Sequence, residues 1–325
     1  LTTGLNVGER AQVPAALTIA GNASSGAGGM PVDLKTFHQL GVFGMAALTT
    51  LVSFDVTAGN ATRQVIDPQV IIDQIRSSLT NADISAIKLG MIPTPQTIQA
   101  VHQALAEAKI FPPARSASEL GVSDQLEGAG ALSSAQAEGD EALSPAQAEG
   151  TGAQVVRSDA PAVVVDPVLV CKANEFAPET VADMVNLLLP GATVVTPNLP
   201  EAQFLAQMEI RSLDDLDEAA RKIGSLGPKH VLVKGGARLE LPGEVVDSWY
   251  DSETGQITHL SSPLYQGALL NGAGCTLAAA ITAYLAKGSE AAEAIRLGRE
   301  FVATGFAHPF KLHLPNDALW TGPAK

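Results

Sequence analysis

Short apolar runs alternate with amphipathic stretches along most of the chain, and this alternation limits the fold more than any other feature. "AALTIAG" at 15–21 reads as a strand ending in glycine, and "VDLKTFHQLG" at 32–41 as a helix closed by Gly41. The pairing recurs as "AALTTLVSF" with "PQVIIDQIRSSL", "AIKLGM" with "PQTIQAVHQALAEA", and "AVVVDPVLV" with "ETVADMVNLLL". It recurs again as "ATVVTPN" with "SLDDLDEAARKIGSLG", and "HVLVKGG" closes the series. Such continuous apolar strands are expected in a parallel sheet buried on both faces. The expected fold class is therefore α/β, with helices on both sides of a mostly parallel sheet. Beyond "VKGG", residues 245–263 read as a hairpin turning near Glu253, Thr254 and Gly255, and two helices follow.

One stretch breaks the pattern. Residues 114–158 hold no strand or long helical stripe, and "ALSSAQAEGDE" at 131 is nearly repeated by "ALSPAQAEGTG" at 142. Residues 116–150 contain seven Asp or Glu and no Lys or Arg, which accounts for half of the net charge of −14. The reading is a flexible acidic insertion within a single domain that spans 15–325, preceded by a leader at 1–14. The acidic balance argues against nucleic acid as a partner. No apolar run is long enough to span a bilayer, so no membrane partner is expected. Two cysteines in 325 residues do not make a disulfide framework, and a cytoplasmic location is the simpler expectation.

"NGAGCTLAAAITAYLAKG" at 271–288 carries the chemistry. Gly272, Ala273 and Gly274 lead into Cys275 at the start of a helix. Unpaired helix N–H groups and the helix dipole make an anion site there, and small residues let a phosphate approach. Cys275 lies in that field, so it reads either as a thiolate acting as base or nucleophile or, equally on this stretch, as an inert buried cysteine. Other strand ends tip the balance. Asn198 and Glu201 in "VVTPNLPEA" suit a hydrated magnesium ion beside phosphates, although Asn198 also reads as a helix cap. Asp166 ends an apolar strand, and Lys234, Gly235 and Gly236 end another. Ligands of open α/β sheets bind at that carboxyl edge.

Taken together, these stretches resemble the ribokinase-like superfamily, and within it the branch of hydroxymethylpyrimidine (phosphate) kinases and pyridoxal kinases. "LTIAGNASSGAGGMPVDLKTFHQLGVFGMAALTTLV", "AIKLGM", "VVDPVLVCK", "ATVVTPNLPEA", "HVLVKGG" and the 271–288 motif carry the likeness. The resemblance implies a three-layer α/β/α fold and ATP-dependent phosphorylation of a hydroxymethyl group on a small heteroaromatic vitamin. It implies ATP and magnesium as cofactors and a homodimer. Cys275 would be the base, with Gly272, Ala273 and Gly274 as the anion loop. Asn198, Lys234 and Gly236 would hold nucleotide, and Asp166 and Glu201 the metal. Asn22, Gly28, Phe54, Met91 and Val168 would line the ring pocket.

Cys171 matches the lid cysteine of the dual-cysteine pyridoxal kinases, where a cysteine adds to the pyridoxal aldehyde. Phe54 stands where pyrimidine kinases place a glutamine, which favours a pyridine substrate of the vitamin B6 type over hydroxymethylpyrimidine. Three departures touch the same pocket: Ala23 replaces an acidic residue, Pro31 a glutamine and Asn271 a histidine. They keep open a third reading, a vitamin- or nucleotide-binding relative with impaired catalysis.

Overall fold

The computed structural model describes residues 13–55, 60–113, 160–171, 174–175, 177–239, 243–264 and 270–323. The expected leader at 1–14 (apart from Val13 and Pro14) and the expected insertion at 114–158 lie outside the described residues.

The first described elements are β1 (Ala15–Ala23), α1 (Met30–Gln39) and β2 (Phe43–Asp55), a β–α–β unit whose strands pair in parallel. β3 (Asn60–Val65) turns back antiparallel on β2. Next come α2 (Pro68–Asn81), β4 (Ile84–Leu89), α3 (Pro95–Glu107) and β5 (Ala162–Val165). β6 (Val170–Cys171) and β7 (Asn174–Glu175) form a two-stranded ladder separate from the main sheet. α4 (Pro178–Asp183) continues into a wider π turn over Met184–Leu188. β8 (Val194–Val195), α5 (Leu199–Ala206), α6 (Leu213–Gly224) and β9 (His230–Lys234) follow. The hairpin of β10 (Glu244–Asp251) and β11 (Ile257–Pro263) precedes α7 (Ala273–Ala286) and α8 (Ala291–Gly305).

The main sheet has the order β11-β10-β9-β8-β5-β4-β1-β2-β3. The six strands from β9 to β2 pair in parallel, and antiparallel strands close both edges. Local chemistry starts the helices as the sequence suggests. Asp67 accepts from the N–H of Gln69 ahead of α2. Capping boxes open α3 (Thr94 with Thr97) and α6 (Ser212 with Asp215). Pro31 sits in the first turn of α1, where its missing N–H costs no hydrogen bond.

Two hydrophobic layers sandwich the sheet. On one face Leu17, Ile19, Ile87, Leu89, Val163 and Val165 pack with α2, α3, α5 and α6. On the other, Ala16 and Ala86 meet Phe37 of α1 and Ala279 and Ala283 of α7. These small side chains let α1 and α7 lie close to the central strands. The three-layer α/β/α architecture expected from the sequence is the one observed.

Three details differ from expectation. The run at 162–170 leaves the sheet after Val165, because Pro167 offers no N–H for a ladder. β3 is mostly polar, since an edge strand needs no continuous apolar face. α5 begins directly after Asn198, so the strand expected to run to residue 198 ends at Val195.

Ile87 is fully buried in a central strand, whereas Val70 on α2 is half exposed. Replacing Ile87 by Ala is expected to cost about 2–5 kcal/mol in urea unfolding, and Val70→Ala no more than about 0.5 kcal/mol.

Candidate active site

The carboxyl ends of β1, β4, β5, β8 and β9 converge on one edge of the sheet, and α7 begins there. Its cap, Gly272, has φ of 87°. A Cβ at Gly272 would lie 2.6 Å from the carbonyl oxygen of Ala27, in the loop after β1. Only a residue without a side chain lets the two turns touch, and that contact positions the start of α7.

Two cavities meet at this helix start. The smaller, about 160 Å³, is lined by Ala23, Gly28, Phe54, Met91, Val168 and Cys275 together with neighbouring backbone. A cavity of about that size accommodates one six-membered ring. Its walls are mostly apolar. The larger cavity, about 680 Å³, is bounded by Asn198, Lys234, Gly236, Ala273 and Gly274 on the sheet side and by Arg299 of α8 and Phe306 just after it beyond. The first turn of α7 therefore separates a ring-sized hollow from a larger groove. Gly28, Phe54, Met91 and Val168 fall together as expected. Asn22 does not line the smaller cavity: its backbone bridges Gly29 and pairs with β2. Cys171 lies in β6, and its side chain is outside the described set.

Charge is concentrated at the larger cavity. The ammonium of Lys234 lies 3.4 Å from Asp166 Oδ1, and a Cβ on Gly274 would lie 3.3 Å from it. Burial works against that charge, but Asp166, Glu201 and Cys275 outweigh it and hold Lys234 above its ordinary value. Asn198 and Glu201 form a capping box for α5. Glu201 Oε2 accepts the Asn198 N–H at 2.9 Å, and Asn198 Oδ1 accepts the Glu201 N–H at 3.1 Å. Burial pushes the Glu201 carboxyl up to about 8, against the lowering pull of Lys234.

The thiol departs from the expectation of an acidified cysteine. Burial, first, and then the nearby carboxylates Asp166 and Asp33 push Cys275 up to about 12, while Lys88 and the N–H of Gly29 pull it down. The helix start alone does not offset the loss of water around the sulfur.

Several features were not legible in the sequence. Asn271 donates from its side chain to the carbonyl of Asn316 at 2.6 Å, and its backbone pairs with Asp317 and Leu319. The C-terminal segment is thus zipped to the loop ahead of α7, a contact without periodicity to reveal it. Asp247 accepts from the N–H of Gly235 and from Arg299, fixing the turn after β9. A lysine in the middle of "AIKLGM" was the one available sign of a buried partner for Lys88.

Known proteins resemble the chain along most of its length. A family model described as phosphomethylpyrimidine kinase matches residues 23–113 and 142–318. The chain is similar to a pyridoxine kinase of Bacillus subtilis, 35% identical over 315 residues that cover 95% of this chain and 94% of that protein. It is also similar to a hydroxymethylpyrimidine/phosphomethylpyrimidine kinase of the same organism, 32% identical and covering 88% and 87% of the two chains. Among solved structures, a pyridoxal kinase from Staphylococcus aureus in complex with AMP-PCP and pyridoxal is 31% identical, with a TM-score of 0.73 and coverage of 95% and 93%.

Gly272 and Gly288 share nearly the same backbone, φ 87° and 89°, but a Cβ at Gly288 would meet nothing within 4 Å. Gly288→Ala is expected to cost about 1–2 kcal/mol of backbone strain. Gly272→Ala is expected to cost more, visible as a lower melting temperature, because the Ala27 carbonyl must move as well.

Proposed function

The chain belongs to the phosphomethylpyrimidine kinase family, and from that premise we propose that it transfers the terminal phosphoryl group of ATP to the hydroxymethyl group of pyridoxal, pyridoxine or pyridoxamine. The observation that carries this reading is the placement of Cys275 in a ring-sized, mostly apolar cavity, with Ala273, Gly274 and Lys234 facing a larger groove across one helical turn. The vitamin ring belongs in the first and the nucleotide in the second. The solved relative that carries AMP-PCP and pyridoxal supports the same pair of ligands.

The residues divide the work of the transfer. Phe54, Met91 and Val168 hold the ring and exclude water. Cys275, as thiolate, accepts the hydroxyl proton while the new O–P bond forms and the bond to the departing ADP breaks. The N–H groups of Ala273 and Gly274, with the Lys234 ammonium, face the charge on the moving phosphoryl group. Because burial holds the thiol protonated near pH 7, the base becomes competent only as positive charge gathers around it. Asn198 and Gly236 line the groove that receives the nucleotide.

Magnesium fits the donors at this edge. Among the described residues no group of three or more His, Cys, Asp or Glu forms a metal cage. One carboxylate beside a nucleotide can suffice for magnesium, which keeps several waters and takes its remaining ligands from phosphates. Asp166 would bind it directly. Glu201, occupied by backbone N–H groups, would hold its waters. Bound there, the ion would offset phosphate charge.

A homodimer is in keeping with exposed Leu51 and Val65 on the outer strands β2 and β3. No described helix is long and apolar enough to cross a membrane. A cytoplasmic location, and a role without nucleic acid, extend the reading from the acidic composition.

Hydroxymethylpyrimidine is the second substrate reading, favoured by the family description and by the 32% identical relative. Phe54 weighs against it, since an aromatic ring cannot hydrogen-bond an aminopyrimidine as an amide would. With Mg-ATP and a panel of vitamers, kcat/KM is expected to be highest for a B6 vitamer. Cys275→Ala is expected to lower kcat by about 10²–10⁴-fold. A higher kcat/KM for hydroxymethylpyrimidine would reverse the substrate order. Binding of vitamer without turnover of any substrate would leave the catalytically impaired reading instead.

A further inference from the structure

Asn271 is joined to the C-terminal segment by three hydrogen bonds. Its N–H donates to the carbonyl of Asp317 at 2.8 Å, and its own carbonyl accepts the Leu319 N–H at 3.0 Å. Its side-chain amide donates to the Asn316 carbonyl at 2.6 Å. A carbonyl oxygen only accepts, so the amide nitrogen is the atom that faces it. The next residue is Gly272, and Ala273 begins α7. Both main-chain groups and the side chain just ahead of that turn are therefore held by residues 316–319. The contact is an isolated bridge between Asn271 and Ala318, outside the sheet.

The segment has its own internal ties. Phe310 and Ala318 exchange two main-chain hydrogen bonds at 2.9 Å each, and Asp317 Oδ1 accepts the Leu312 N–H at 3.1 Å, which closes 310–318 into a loop. Leu319 packs on Gly305 at the end of α8, where a Cβ would lie 2.7 Å from its Cγ. The Thr321 hydroxyl donates to Gln39 Oε1 at 2.6 Å, at the end of α1. The segment thus runs from α8 across Asn271 to α1, the two helices that pack against α7. Asn271 lines the smaller cavity and Asn316 the larger, so the clasp joins residues of both. Phosphoryl transfer is largely a matter of position, and a misplacement of about 1 Å costs about 10²-fold in rate. The clasp lies where such a displacement would move the N–H groups of Ala273 and Gly274.

We propose that Asn271 is a positioning residue for the terminal phosphoryl group: its three bonds to residues 316–319 fix the turn at Gly272, Ala273 and Gly274, and the C-terminal segment is thereby part of the active site. The inference rests on the reading of that turn as the phosphate-facing loop of a kinase.

ADP and AMP-PCP differ in the phosphoryl group that would face the turn, so calorimetric binding of each to the full-length protein, at pH 8 with magnesium, separates position from stability. Asn271→Ala is expected to weaken AMP-PCP about five- to tenfold, as for one lost hydrogen bond, and ADP by less than about twofold. Asp317 lines neither cavity, yet Asp317→Ala opens the 310–318 loop and is expected to act in the same direction. Asn271→His retains a ring N–H at a similar distance from the backbone and is expected to recover most of the AMP-PCP affinity lost in Asn271→Ala. Asn271→Ser takes the place of Asn271→Ala should the latter not fold. A clasp that serves stability alone would lower the melting temperature while leaving both affinities unchanged or weakening both equally. Either result would overturn the proposal, as would a loss in Asn271→Ala with none in Asp317→Ala. Binding needs no turnover, so the affinities decide the matter even if wild-type protein phosphorylates no vitamer. Wild-type protein that binds neither nucleotide would overturn both this proposal and the kinase reading. Where a vitamer is phosphorylated, Asn271→Ala is expected to lower kcat at least about tenfold.

Discussion

The approach of Gly272 to the Ala27 carbonyl is the contact on which the site depends. It holds two turns, one from each end of the chain, at a distance that no side chain permits. From it follow the position of α7, the depth of Cys275 and the separation of the two cavities. The small residues Ala16, Ala86, Ala279 and Ala283 serve the same end from below, letting α7 settle against the central strands. Glycine and alanine here are choices about distance rather than propensity. With a nearly apolar face, α7 is stabilised by packing and not by charge patterning along its surface.

The electrostatics follow from that depth. A cysteine at an exposed helix start would be acidified, whereas Cys275, half-buried at the wall of the smaller cavity, loses more from dehydration than the helix returns. Of the neighbouring cations, Lys88 on β4 lowers the thiol, and Lys234 on β9 borders the larger cavity. Each is matched by a carboxylate on another element, Asp33 and Asp166 respectively. The thiol thus feels charges of both signs, with Lys88 lowering it and Asp166 and Asp33 raising it.

Much of this was written in the sequence. The strand ends at Asp166, Asn198 and Lys234 were legible because each apolar run stops at a polar residue, and Gly28, Phe54, Met91 and Val168, expected to line a ring pocket, do share one cavity. What escaped was long-range. Asp33 lies 55 residues from Lys88, and no local pattern announces the pair. The C-terminal segment that grips Asn271 pairs through isolated bridges, without the alternation of a strand. β3 was invisible because most of its side chains are polar. The direction of the Cys275 shift was lost for a related reason: helix position can be read from spacing, whereas burial depends on what the rest of the chain lays over it.

The claim that joins these observations is geometric: vitamin and nucleotide occupy separate cavities, and the phosphoryl group crosses at the first turn of α7. A crystal structure with pyridoxal and a non-hydrolysable ATP analogue tests it directly. The account predicts the ring among Phe54, Met91 and Val168, its hydroxymethyl oxygen toward Cys275, and the terminal phosphate against Ala273, Gly274 and Lys234. Pyridoxal bound elsewhere, or phosphates turned away from the start of α7, would contradict it.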